Sequence, residues 1–218
     1  MTSPAVLFDF DGTLADTLDT VVEIANRLAA EFGYEPVTRA ELEELQRLDA
    51  GEILRRSRVS ILKIPALIRR LRAELHQELP HLHPIPGIEA ALQNLHAEGH
   101  VLGVLTSNSL ENVTAFLDAR HLASYFSFVH SGLTLFGKGR IMRRLLVRYE
   151  LSPERTIYVG DEIRDIEAAR FARASSIAVS WGFNARERLA KSSPDRLVDR
   201  PEELPVAIAS ILASVSSS

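Results

Sequence analysis

Cysteine is absent from all 218 residues, which removes disulfides, thiolate metal sites and a cysteine nucleophile, and fits a reducing compartment. Long apolar runs are missing too: none approaches the roughly 20 residues of a membrane span, and residues 1–8 lack the basic n-region and length of a signal peptide. The expectation is a soluble, cytoplasmic protein with no membrane partner. Nor is there an excess of one charge. Lys and Arg number 25 against 29 Asp and Glu, for a net charge of −4. Mixed along the chain at this balance, the charges argue against a nucleic-acid partner held through phosphate contacts, while leaving room for a local basic pocket. No internal repeat is visible, and nothing in the sequence specifies an oligomeric state.

What is present suffices for one substantial core and a smaller second unit, since 46% of the residues are apolar. The organising stretch lies near the start. Ala5-Val6-Leu7-Phe8 is a short β-prone run that leads into Asp9-Phe10-Asp11-Gly12-Thr13-Leu14, which predicts a buried strand ending at Asp9. Residues i and i+2 of a strand face one side, so Asp9 and Asp11 can enter one crevice, and Gly12 permits a tight turn. Two carboxylates placed this way repel and lose hydration, a cost that Mg2+ would offset. The pair can serve as nucleophile and acid/base. Asp11-Gly12 is also a hairpin-turn signal. Against a hairpin, Leu18, Val21, Val22, Ala25, Leu28, Ala29 and Phe32 follow at helical spacing and Gly33 stands where a helix C′ residue belongs.

Residues 16–81 read as all-helical. Leu42, Leu45 and Leu48 recur at helical intervals, and Ile64 to Leu79 form an amphipathic pattern with Pro65 near its start. Pro84 to Gly87 then mark a linker. The organisation predicted is a core of residues 1–15 and 82–218 with residues 16–81 as an inserted lobe. Beyond Gly87, helices near 88–98, 110–120, 140–150 and 162–172 alternate with strands near 101–105, 128–129, 156–159 and 176–180. A loop from Trp181, a short strand at 196–198, a closing helix over 201–212 and a frayed tail from Ser214 complete the pattern. Such alternation means an α/β fold, with a parallel sheet covered by helices on both faces. Ligands bind such sheets outside the carboxyl ends of the strands. Asp9, Thr106 and Asp161 all fall at such ends.

Asp9-x-Asp11-Gly12-Thr13-Leu14-x-Asp16-Thr17 resembles the first motif of the haloacid dehalogenase-like hydrolases, and the chain is most similar to their phosphoglycolate-phosphatase-like branch. Three later stretches resemble the remaining motifs in order: Thr106-Ser107-Asn108, then Lys138 between two glycines, then Gly160-Asp161-Glu162-Ile163-Arg164-Asp165. The resemblance implies a Rossmann-like core with a helical C1 cap, and Mg2+-dependent hydrolysis of a small phosphomonoester through an aspartyl-phosphate. Asp9 would be the nucleophile and Asp11 the acid/base. Thr106, Ser107 and Asn108 would hold the phosphoryl group, and Lys138 would neutralise charge on it. Asp9, the Asp11 carbonyl and Asp161 would ligate Mg2+, with Asp165 behind them or orienting Lys138; Glu162 is either part of the metal's surroundings or a solvated acid.

Each motif also has a plainer reading. A polar cluster after a strand is commonly a helix N-cap, a lone lysine a solvated charge, and acids at a helix start a response to its dipole. The order and strand-end placement of the set favour the enzyme. A phosphomutase would share all four motifs, a dehalogenase would not need Asp11, and a non-catalytic binding module would not need the set. Within the cap, the turn Leu48-Asp49-Ala50-Gly51-Glu52 is expected to reach the substrate, with Gly51 allowing close approach and Arg55 and Arg56 just beyond suiting an acidic leaving group. His76, His81 and His83 surround a linker and read as solvated or hinge residues before metal ligands. Arg140, Arg143, Arg144 and Arg148 read as a solvated helix face. One departure from the family pattern is Arg173, at a C′ position where related chains have glycine: either the helix ends differently or Arg173 takes positive φ.

Overall fold

The computed structural model describes residues 3–48, 50–132 and 137–216. Its centre is a six-stranded, wholly parallel sheet in the order β3-β2-β1-β4-β5-β6. The strands are β1 (Ala5–Phe8), β2 (Val101–Thr106), β3 (Phe128–Ser131), β4 (Thr156–Gly160), β5 (Ser175–Val179) and β6 (Arg196–Val198). After β3 the chain crosses β2 and β1 to lay β4 on the other side of β1, so strand order reverses between β1 and β4. The carboxyl ends of the strands open into a crevice there.

Alternation along β1 divides the core. Val6 and Phe8 join the layer containing Leu92, Leu95, Phe116 and Ile208, contributed by α5 (Ile88–Ala97), α6 (Leu110–Ala119) and α10 (Leu204–Ser216). Leu7 faces the other way, with Leu105 and Tyr158, onto Met142, Leu145, Ala168 and Ala169 of α7 (Lys138–Arg148) and α8 (Ile163–Ala172). Fully burying each large apolar side chain contributes about 1.5–3 kcal/mol, so a strand this short is held by its two faces. Phe10 extends the first layer past the strand end, its ring meeting Phe116 edge-on at 5.2 Å.

Among the described residues, four α-helices lie between β1 and α5: α1 (Leu18–Phe32), α2 (Arg39–Leu45), α3 (Ala50–Ser57) and α4 (Ile64–Glu78). α1 stops as its sequence predicts, with Gly33 at φ 80° and its N–H returning to the Ala29 carbonyl. Thr38 and Glu41 form a reciprocal capping box on α2, and Pro65 sits in the first turn of α4, where its missing N–H costs nothing. Arg27 of α1 pairs with Glu74 and Glu78 of α4 at 3.2 Å, an exposed contact worth little beside the apolar packing. The two connections to the core are bonded to each other: Asp16 N–H donates to the His83 carbonyl and Ile85 N–H to that of Leu14, both at 2.9 Å.

Several local expectations are corrected. The turn expected at 48–52 is largely helix, because α3 begins at Ala50 and includes Gly51; Asp49 lies outside the described residues. Lys138 opens α7 rather than preceding it. The stretch after β5 contains α9 (Arg186–Lys191), too short for its pattern to stand out. The closing helix starts later than expected, at Leu204 after a single 3-10 turn, and runs to Ser216 through most of the tail expected to fray; Ser217 and Ser218 lie outside the described residues. Arg173 takes the second of its two options, φ 62° beyond the end of α8, with Ala174 N–H closing onto the Ala169 carbonyl at 3.0 Å. Non-glycine residues pay roughly 1 kcal/mol or more for that conformation.

Candidate active site

β1 delivers Asp9 to the crevice almost completely buried. A buried carboxylate needs donors, and Asp9 has two: Phe10 N–H at 2.8 Å on Oδ1 and the Lys138 ammonium at 2.7 Å on Oδ2. Lys138 arrives from the first turn of α7 and also reaches Asp165 Oδ1 at 2.6 Å, with its ammonium 5.0 Å above the Tyr158 ring. Burial alone would lower the Lys138 pKa, but Asp165 and Asp9 carry it above its ordinary value. It is a permanent cation between two acids.

Asp11 emerges from the same side of the chain. Its carboxylate receives the Asn108 amide at 3.0 Å on both oxygens. Burial, reinforced by the charge of Asp9, pushes Asp11 up to about 7, with Asn108, Arg164 and Thr17 opposing. That is a suitable range for a group that must both give and take a proton near neutral pH. The loop that positions it is tight: the Phe10 carbonyl accepts from Thr13, Leu14 and Ala15 N–H groups, and Gly12 N–H donates to the Ala15 carbonyl at 3.0 Å. Gly12 stands at φ 71°, and a Cβ there would meet Asp161 Oδ2 at 2.5 Å. The position therefore requires glycine twice, for its conformation and for its size.

Asp161 follows β4 and is fully buried. Thr13 Oγ1 donates to its Oδ1 at 2.6 Å and Phe183 N–H to its Oδ2 at 2.7 Å. Even so, burial and the neighbouring charges of Glu162, Asp165 and Asp9 raise its pKa well above the usual carboxylate range. Asp165, in the first turn of α8, also accepts from Glu162 N–H at 3.0 Å; burial raises it to about 6, Lys138 opposing. Among the described residues, Asp9, Asp161 and Asp165 are the one group of metal-capable side chains whose ligand atoms all lie within 4.8 Å of one another. All their donors are oxygens and their charge exceeds what Lys138 neutralises, which fits a hard divalent cation. His76, His81 and His83 form no such group; all are exposed, and His76 Nδ1 lies 2.8 Å from Asn112 Oδ1.

At the end of β2, Thr106 Oγ1 accepts from Asn108 N–H at 3.0 Å, which leaves the hydroxyl proton free to donate. Asn108 is fixed on its other side by Ser109 N–H at 2.7 Å and the Asn112 amide at 3.1 Å, both donating to its Oδ1. Asn112 in turn donates to the Arg72 carbonyl at 3.0 Å. The Arg72 guanidinium donates to the Ser107 carbonyl, so α4 is tied to α6 by one bond and to the strand-end loop by another. Further bonds tie the stretch after α2 to the loop after β5: Asn184 Nδ2 donates to the Gln46 and Leu48 carbonyls at 3.3 and 3.2 Å, and Ala185 N–H to the Gln46 carbonyl at 2.8 Å.

The sequence-predicted core residues Asp9, Asp11, Thr106, Ser107, Asn108, Lys138, Asp161 and Asp165 thus come together beyond the carboxyl ends of β1, β2 and β4. Gly51 borders an adjoining cavity of about 620 Å3 that also touches Lys138, Glu162, Arg164 and Asn184, whereas Arg55 is exposed and lines neither this cavity nor a larger one beside α4. Glu162 is no free acid: it pairs with Arg164 and caps α8. Arg140, Arg143, Arg144 and Arg148 are exposed, as their pattern predicts. Arg72, Arg164, Asn112 and Asn184 were not singled out. Only Asn112 carried a sequence signal, being a polar residue one turn before Phe116 on the apolar stripe of α6.

Comparison with known proteins shows the family. The sequence model of the haloacid dehalogenase-like hydrolase family matches residues 6–179. A phosphoglycolate phosphatase of Synechococcus elongatus is 39% identical over 95% of this chain and 98% of its own length. Among solved structures, a predicted phosphatase from Clostridium acetobutylicum superposes with a TM-score of 0.81 at 22% identity, covering 97% of this chain and 100% of the other. CbbY from Rhodobacter sphaeroides, solved in complex with phosphate, gives 0.74 at 26% identity, covering 93% and 96%. The chain belongs to the haloacid dehalogenase-like hydrolases, on their phosphoglycolate-phosphatase-like branch.

Proposed function

We propose that this hydrolase is a Mg2+-dependent phosphatase that cleaves a small phosphomonoester, phosphoglycolate or a close analogue, through an aspartyl-phosphate on Asp9. The observation that carries the reading is the division of labour between two carboxylates at one strand end. Asp9 is held by a cation 2.7 Å away, whereas Asp11 is poised with its pKa at about 7.

In this mechanism Asp9 attacks phosphorus in line with the leaving oxygen, while Asp11, protonated, donates its proton to that oxygen. Asp11 then takes a proton from the water that opens the acyl-phosphate. The Thr106 hydroxyl, the Ser107 N–H and the Lys138 ammonium stabilise the equatorial oxygens where charge develops. A divalent cation held by the Asp9 carboxylate, the Asp11 carbonyl and Asp161 would relieve the repulsion between nucleophile and substrate. Asp165 would stand behind it, orienting the Lys138 ammonium 2.6 Å away and accepting from the start of α8. Residues 16–81 act as a lid over the crevice, turning on the paired connections at 14–16 and 83–85.

Release of inorganic phosphate from phosphoglycolate, with and without Mg2+, tests the activity. Asp9→Asn should lower turnover by about 1,000-fold or more, since an amide is a poor nucleophile for phosphorus. Turnover near wild type, or a phosphorylated enzyme trapped on another residue, would remove Asp9 from this role.

A further inference from the structure

A chain of side-chain hydrogen bonds leads away from Asp11 and ends on a different helix. The Asn108 amide donates to both Asp11 oxygens, the Asn112 amide donates to Asn108 Oδ1 at 3.1 Å, and Asn112 Oδ1 lies 2.8 Å from His76 Nδ1 of α4. Asn108 and Asn112 are buried, whereas His76 stands at the exposed end. The Asn108 backbone is already held, because its N–H donates to Thr106 Oγ1 and its carbonyl accepts from the Ser131 hydroxyl. What remains to be fixed is which way its amide faces.

Shape does not fix that, since the oxygen and the NH2 of an amide are nearly alike in size; the partners do. Asn108 Oδ1 takes two donors, Ser109 N–H and Asn112 Nδ2, which turns its own NH2 toward Asp11. Asn112 is directed in turn by α4: its NH2 gives its second proton to the Arg72 carbonyl at 3.0 Å, and its oxygen faces His76. An amide oxygen only accepts, so His76 carries a proton on Nδ1. Reversing either amide would set donor against donor and oxygen against oxygen. Asn112 sits on α6 beside the buried Val113, Phe116 and Leu117, where a leucine would pack as well without the cost of desolvating an amide. What asparagine adds there is direction.

We infer that Asn112 and His76 are positioning residues for the general acid, fixing the Asn108 amide so that it presents donors, and never its oxygen, to the Asp11 carboxyl. This rests on the phosphatase reading above and extends its machinery to two residues that act through Asn108. The consequence concerns one proton. As the bond from phosphorus to the leaving oxygen breaks and that from Asp9 forms, the Asp11 proton must pass to the leaving oxygen. A reversed Asn108 would offer Oδ1 as a competing acceptor for that proton. With the amide held as it is, Asn108 takes nothing from Asp11 and the proton stays available to the leaving group.

The test compares kcat/KM for phenyl phosphate and 4-nitrophenyl phosphate, two esters of similar shape whose leaving groups differ in their need for a proton. Asn112→Leu, close to asparagine in size, should lose about fivefold more on phenyl phosphate than on the nitrophenyl ester. His76→Leu should shift the ratio the same way by about threefold, the scale of one neutral hydrogen bond. His76→Asn, which keeps an N–H donor near the Nδ1 position, should restore the wild-type ratio; should Asn112→Leu fold poorly, this exposed pair still decides. Equal losses on both esters, no loss, or His76→Asn behaving like His76→Leu would overturn the assignment, the first by giving Asn112 to the fold or to the phosphoryl group. Asp11→Asn separates this inference from the reading beneath it, because it should shift the ratio at least as far as Asn112→Leu. An equal loss in Asp11→Asn would overturn Asp11 as the acid, and wild-type enzyme that releases phosphate from neither these esters nor phosphoglycolate would overturn the phosphatase reading; either takes the positioning role with it.

Discussion

The Asn108 side-chain amide donates to both carboxylate oxygens of Asp11 at 3.0 Å. An amide N–H2 can only donate, so it favours the ionised acid and acts against the burial and the Asp9 charge that push Asp11 up to about 7. Two opposed influences set one proton affinity, and removing either moves it in a known direction.

Asn108→Ala should therefore raise the pKa of Asp11 in the free enzyme. The limb of the kcat/KM profile that reports Asp11 deprotonation should move to higher pH, with a loss at its maximum of about 10-fold from poorer orientation. A full pH–rate profile on phosphoglycolate checks this, and a limb that stays or moves to lower pH would show that Asn108 does not tune Asp11.

Lys138 gives a second prediction, in stability. Asp165, at about 6, and Asp11, at about 7, both sit above their unfolded values because of burial. Between about pH 4 and those values the native protein holds protons that the unfolded chain has released, so their contribution declines as pH rises through the window. The Lys138 pKa is raised, so its contribution is complete at neutral pH and is lost only in strong alkali. Lys138→Met leaves Asp9 and Asp165 facing each other uncompensated, which should cost about 3–5 kcal/mol at pH 7. At pH 5 the deficit should shrink, because Asp165 can take up a proton. Urea denaturation of the metal-free protein at both pH values measures it, and an equal or larger deficit at pH 5 would contradict the assignment of Lys138 as counter-charge.

The sequence made the core of the site legible because strand ends gather residues that are distant along a chain. Asp9, Thr106 and Asp161 end β1, β2 and β4, which lie side by side, so recognising three buried strands was enough to bring them together. The helices between β1 and α5 followed different rules. α4 has Arg69, Arg70 and Arg72 on a helix whose pattern is amphipathic, and only tertiary packing distinguishes the arginine that turns to Ser107 from those facing solvent. Gly51 suggested a turn, yet it lies in α3, where neighbouring packing overrides a cost of roughly 1 kcal/mol for glycine in a helix. Asn184 and Gly182 lay in a stretch with no pattern at all; they matter because the loop after β5 folds back over Asp161. Arg173 was legible in a weaker sense: its position demanded one of two outcomes, and the backbone took the strained one.

Gly182 offers a test of the metal site that substitutes none of the proposed ligands. A Cβ there would overlap the Asp161 carboxylate, whereas one on Gly99 would meet nothing within 4 Å. Gly182 does not have the positive φ of Gly99, which stands at 81°, so Gly182 is required for space and Gly99 for conformation. In Gly182→Ala, Asp161 must swing away from Thr13 and Phe183, which hold it at 2.6 and 2.7 Å, at an overpacking cost of about 1–3 kcal/mol. If Asp161 ligates Mg2+, half-saturation by Mg2+ should rise about 10-fold or more. Gly99→Ala serves as the control for simple destabilisation: backbone strain should lower its Tm while leaving the Mg2+ midpoint where it was. The cation should also stabilise wild type more at pH 7.5 than at pH 5, because protons compete for raised carboxylates such as Asp161 and Asp165. Thermal melts with and without Mg2+ at the two pH values measure that difference. A Mg2+ midpoint unaffected in Gly182→Ala, or a stabilisation that does not grow with pH, would place the cation away from Asp161.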